Sequence, residues 1–100
     1  MTKGEKREQS DILYETILTL KDLDECKKFF SDLCTVAELR AMEQRFEVAR
    51  LLDQGNIYSD VLEKTGVSSA TVSRVKRCLN YGAGGYRLVL ERMKTGEETE

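Results

Sequence analysis

Eight residues within a run of ten, Ser68, Ser69, Ala70, Thr71, Ser73, Arg74, Lys76 and Arg77, place short hydroxyl side chains just ahead of closely spaced cations. A hydroxyl donates and accepts at short range, whereas guanidinium and ammonium groups hold anionic oxygens through charge-assisted bonds. On one helix, such small residues could approach base edges while the cations reach phosphates. Ala70 and Thr71 suit a thymine methyl, and Ser69, Thr71 and Ser73 could share base-edge and phosphate bonds. The same residues also suit the solvated face of an ordinary helical hairpin. Spacing alone leaves both readings open.

Other chemistries find little support. There is no His in the chain, so no side chain with an ordinary pKa near neutrality serves acid–base catalysis. Cys78, beside Arg74 and Arg77, has no base partner to activate its thiol. We expect no enzyme. Cys26, Cys34 and Cys78 are too few and scattered for a disulfide framework or a zinc site, and are read as buried reduced thiols. No metal and no cofactor are expected.

The elements that must position the polar row are read from Ile57 to Leu79. The spacing predicts a helix with Ile57, Val61 and Leu62 on one face, a turn at Thr65-Gly66-Val67, and a second helix opening at Ser68 or Ser69. Gly66 suits positive φ, and Val67 can plug the corner. Val72, Val75 and Leu79 form the inner stripe of the second helix at i, i+3, i+7. Its outer face is left with Ser69, Ser73, Lys76, Arg77 and Asn80, an arrangement of the helix-turn-helix kind.

Around this motif the chain reads as all-α, with about six helices. Residues 1–10 are apolar-poor and are expected to form a flexible arm. Asp11 to Leu20 reads as a helix facing inward with Leu13, Ile17 and Leu20. Asp22 or Asp24 could cap a second helix to Leu33 or Cys34, with Cys26, Phe29, Phe30 and Leu33 inward. Thr35-Val36-Ala37-Glu38 has the form of a capping box. The helix it opens runs to about Asp53, and Gly55 is placed to end it in a left-handed conformation. Its apolar stripe, Val36, Leu39, Met42, Phe46, Ala49 and Leu52, is widened by Val48 and Leu51 beyond what one neighbour needs, so it also suits a dimer surface.

After the motif, Gly82-Ala83-Gly84-Gly85 breaks the helix. It lacks the ending and the preceding strand of a phosphate loop. Arg87 to Met93 is predicted as a short last helix that packs through Leu88, Val89 and Met93, and residues 95–100 as a polar tail. We expect one domain over residues 11–94. No apolar run is long enough to span a bilayer, and the polar N-terminus is not signal-like, so no membrane partner and a cytoplasmic location are expected.

The formal charge is −2, but it is unevenly spread. Residues 1–63 carry nine cations against fourteen acids, whereas residues 64–94 carry seven cations against Glu91 alone. An acidic body with a basic segment fits an oriented anion-binding face. It does not separate DNA from RNA or from an acidic protein.

The segment QRFEVARLLDQGNIYSDVLEKTGVSSATVSRVKRCLNYGAGGY resembles the Trp repressor superfamily, and within it the small Trp repressor-like branch of the YerC/YecD type. The likeness covers about Ile12 to Met93 and is strongest in TGVSSATVSR and GAGGY. It implies an intertwined homodimer whose paired recognition helices enter successive major grooves of double-stranded DNA. Thr35, Arg45 and Arg74 match the positions that hold an amino-acid effector by its ammonium and carboxylate. Val75, however, stands where the repressor has a glycine that leaves room for indole, and Cys78 replaces a serine. An amino-acid-like effector is compatible with this pocket, but tryptophan is not expected. Arg45 can equally be a structural partner of Glu43 or Glu47.

The first helix of the motif departs from the basic face the resemblance implies, because Asp60 and Glu63 would repel phosphate. A protein-binding adaptor that keeps the fold is therefore the alternative. The reading adopted is a homodimeric, sequence-specific DNA-binding transcriptional regulator, a repressor by expectation, that does not respond to tryptophan.

Overall fold

The computed structural model describes residues 11–99, with side chains as far as residue 96. The readings for residues 1–10 and for Glu100 lie outside the described residues. Among these there are six helices and no strand: α1 (residues 11–17), α2 (Leu23–Leu33), α3 (Val36–Asp53), α4 (Tyr58–Thr65), α5 (Ser69–Tyr81) and α6 (Gly85–Thr99). They form two compact units, divided between Leu39 and Arg40.

In the first unit, α1 stops at Ile17 rather than continuing to Leu20. The Thr19 N–H and hydroxyl both reach the Thr16 carbonyl, at 3.0 and 2.6 Å, and the Leu20 N–H reaches Ile17 O. Bonds three residues back tighten the last turn and close the helix early. Asp22 caps α2 by accepting from the Glu25 N–H at 2.9 Å. Phe29 and Phe30 stack edge to face with centroids 5.5 Å apart. Leu33, expected inward, is half exposed, and α2 buries no residue completely. The capping box forms as the sequence indicates: Thr35 N–H donates to Glu38 Oε1 at 2.8 Å, and Glu38 N–H to Thr35 Oγ1 at 3.1 Å. The Thr35 backbone N–H, and after it the Thr35 side chain, hold the Glu38 carboxyl below its ordinary pKa.

The second unit is built on valines. Val48, Val61, Val72 and Val75 are fully buried, together with Ala49, Leu51, Leu79 and Leu90. Val67 packs against this core from the corner, as expected. From α3 it is the widened edge, Val48 and Leu51 with Ala49, that is buried, while Val36 is exposed. Both turn glycines are left-handed, Gly55 at φ 95° and Gly66 at φ 71°.

The end of the chain differs from its sequence reading. α6 starts at Gly85 and continues through the supposed tail to Thr99. Its inward residue is Leu90, whereas Leu88, Val89 and Met93 stay partly exposed. Two contacts support the extension: the Thr95 hydroxyl donates to Glu91 O, and the Lys94 ammonium lies 2.9 Å from Asp53 Oδ2. No helix among the described residues is long and apolar enough to cross a membrane.

Candidate nucleic-acid interface

α4 and α5 form the helix-turn-helix, and local chemistry sets each of their ends. α4 begins at Tyr58, which leaves Ile57 as its N-cap and 64% exposed rather than on the inner face. Asp60, in the first turn, meets the positive end of the helix dipole. At the other end, Gly66 N–H reaches Leu62 O at 2.9 Å from a conformation a side chain rarely adopts. Thr65 knits the turn by donating to Val61 O and accepting from the Val67 N–H.

Ser68 caps α5. Its Oγ accepts from the Thr71 N–H at 3.1 Å and lies 3.0 Å from Thr71 Oγ1. Val72, Val75 and Leu79 then bury one stripe of the helix and thereby fix which side chains turn outward. At 3.6 residues per turn, Ser69, Ser73, Lys76 and Asn80 share one outer flank, Ala70, Arg74 and Arg77 the outermost strip, and Thr71 and Cys78 the opposite flank. Ser69, Ala70, Ser73, Arg74, Lys76 and Arg77 are all exposed, and Thr71 is half-buried. Cys78 is exposed as well, contrary to the buried thiol expected; Cys26 and Cys34 are half-buried. α5 ends at Tyr81 and is capped by Gly82, whose N–H donates to Cys78 O at 2.8 Å. A Cβ at that position would collide with the same carbonyl, so the stop requires glycine.

The basic segment is less available than its composition implies. Lys64 donates to Asn56 Oδ1 at 2.8 Å. Arg87 is a clamp: Nε donates to Leu79 O at 3.1 Å, Nη1 to Asp53 Oδ1 at 3.2 Å, and Nη2 to Asn80 Oδ1 at 3.4 Å. Asp53, 12% exposed at its side chain, therefore pairs with both Arg87 and Lys94. Its hydrogen bond and charge raise the Lys94 pKa. Among the described residues, Arg74, Lys76 and Arg77 have no ion-pair partner, and they are the cations left on the α5 face.

Two features outside the basic row stand out. Tyr58, to which the sequence reading gives no role, donates its hydroxyl to Ser69 O at 2.7 Å and lies 3.0 Å from Ser73 Oγ. Nothing local in the sequence signals a contact across eleven or fifteen residues. A cleft of about 380 Å³ opens beside this pair, with Asn56, Tyr58, Lys76, Asn80 and Arg87 in its wall.

Of the residues assigned to an effector pocket, Thr35 belongs to the first unit, and its hydroxyl is occupied by the capping box. Arg45, half-buried, and Arg74, exposed, belong to the second unit. Glu47 pairs with Arg50 at 2.9 Å rather than with Arg45, and the Arg50 guanidinium keeps the Glu47 carboxyl below its usual range. Val75 is 1% exposed and belongs to the valine core.

Comparison with known proteins agrees with this architecture. The family described as Trp repressor protein matches residues 8–94. A Bacillus subtilis (strain 168) relative, "Uncharacterized protein YerC", is 54% identical over 87 residues, which span 87% of this chain and 84% of the relative. The crystal structure of a TrpR-like protein from Eubacterium eligens ATCC 27750 superimposes with a TM-score of 0.83 at 50% identity, covering 87% of this chain and 90% of that one. That of a putative Trp repressor from Staphylococcus aureus gives a TM-score of 0.83 at 44% identity, covering 86% of each chain.

Proposed function

This chain belongs to the Trp repressor family, and on that premise we propose that it is a homodimeric, sequence-specific DNA-binding regulator of transcription, acting as a repressor in the cytoplasm. The observation that carries the proposal is the α5 face. Hydroxyl side chains at its start, and Arg74, Lys76 and Arg77 further along, stand on a helix whose opposite stripe is locked into the core. Such a helix can enter a major groove without rearranging its own packing. Ser68, Ser69, Ala70, Thr71 and Ser73 are the proposed base and sugar–phosphate contacts near its N-terminus, and the three cations the phosphate contacts.

The homodimer draws support from the first unit. Leu13, Leu18, Leu23 and Leu33 expose large apolar side chains there, and none of its described residues is fully buried. A second copy would cover such stripes. Within the second unit, Arg45 and Arg74 remain the proposed holders of an amino-acid-like effector's carboxylate. Tryptophan is left out of the proposal because Val75 stands where the resemblance has a glycine that leaves room for indole.

Asp60 and Glu63, both exposed on α4, favour a second reading, in which the same face docks a protein partner. Selection from random oligonucleotides at moderate salt decides between them. The proposal expects an enriched palindrome with half-sites about one helical turn apart. A pool with no enriched sequence would overturn it in favour of the adaptor.

A further inference from the structure

The bonds of Tyr58 decide what one position of the DNA-facing flank can offer. A phenol carries one proton, and in Tyr58 that proton goes to the Ser69 carbonyl oxygen, a group that can only accept, 2.7 Å away. The 3.0 Å contact between Tyr58 and Ser73 therefore has Ser73 as the donor. Its single proton is spent inside the protein, and only its lone pairs remain for another molecule. The side chain is nevertheless exposed, on the same flank of α5 as Ser69 and Lys76. The arrangement is anchored, because the Tyr58 ring packs against the valine core.

We propose that Tyr58 is a specificity-determining residue: by claiming the Ser73 proton, it makes Ser73 an acceptor that selects an amino-bearing base. This rests on the DNA-binding reading and deepens it. In the major groove adenine N6 and cytosine N4 donate, whereas guanine O6 and N7 and thymine O4 only accept. An acceptor-only Ser73 matches the first pair and faces the second with unpaired lone pairs on both sides. A free serine hydroxyl would rotate to suit either.

The test is oligonucleotide selection with wild type, Tyr58→Phe, Ser73→Ala and the double variant. Urea unfolding of each confirms a retained fold. Wild type should prefer adenine or cytosine over guanine and thymine at one position of each half-site, by about tenfold for a single hydrogen bond. Tyr58→Phe, which keeps the ring and frees the Ser73 proton, should lose that preference while leaving the salt dependence of binding unchanged. Ser73→Ala should relax the same position, and the double variant should add nothing further. Guanine or thymine at that position in wild type, or an unchanged profile for Tyr58→Phe, overturns the proposal. A wild-type pool without any enrichment instead overturns the DNA reading beneath it, and the wild-type arm alone reveals that failure.

Discussion

The two units of this chain solve the burial of apolar side chains in opposite ways. From Arg40 onward, four valines disappear completely from solvent and are flanked by Phe46, Leu52, Leu62 and Tyr86. The stretch before it, α1 and α2 with the turn that joins them, holds comparable apolar residues and leaves them in water, with Leu18 82% exposed. The difference separates two tasks. The unit that presents α5 buries its own valine core, so the proposed reading face would keep its shape. In the proposed dimer, the other unit would gain stability by association.

That contrast can be broken from either side. The largest effect is expected in the first unit: Leu33→Asp should leave the valine core intact yet weaken dimerisation roughly a hundredfold or more, since a carboxylate would be buried without a partner. Sedimentation equilibrium over a dilution series measures this, and an unchanged dimer would remove Leu33 from the interface. In the second unit, Val61→Ala should cost about 2 kcal/mol through lost burial and the cavity left behind. Urea denaturation should show that loss as a shift in midpoint with little change in slope.

A smaller effect is expected on the proposed DNA-binding face. Lys76→Ala with Arg77→Ala should weaken binding to all sequences alike and lower the slope of log affinity against log salt by about two. Wild-type binding by that double variant would mean the docking face lies elsewhere. Smallest is the acid limb of the capping box. The Glu38 carboxyl has a folded pKa below the ordinary 4.5, so its stabilising contribution is present above that value and is lost as pH falls through the depressed one. Glu38→Gln should flatten this limb of the stability–pH curve while leaving its alkaline side unchanged.

Local signals in the sequence translate well into structure. Thr35 and Glu38 announce their reciprocal bonds by a spacing of three, Ser68 its cap, and Gly66 its left-handed turn. The stripe of Val72, Val75 and Leu79 follows from helical period alone. What the sequence hides is set by distance along the chain. Tyr58 meets Ser69 and Ser73 only once the turn at Gly66 has folded α4 back. Asp53 attracts Arg87 and Lys94 from more than thirty residues away. Because that pairing leaves no trace in the sequence, the cations of residues 64–94 read as one anion-binding face, although Lys64, Arg87 and Lys94 are engaged within the protein. The length of α6 is hidden for a similar reason. Its last turns look polar enough for a tail, and the Lys94–Asp53 pair that holds them has no local signature.

Asp53 also bears on how such a regulator would search a chromosome. Time spent on random DNA grows with the number of cations free to displace counterions. In the proposed regulator, a carboxylate that keeps two of them occupied would act as a brake on indiscriminate adhesion. Asp53→Asn would remove one negative charge and release Lys94, while Arg87 keeps its bonds to Leu79 O and Asn80 Oδ1, so the variant of the proposed regulator should cling more tightly to any duplex. In a cell that gain would act as a loss, because the enormous excess of wrong sites would draw the protein away from its operator.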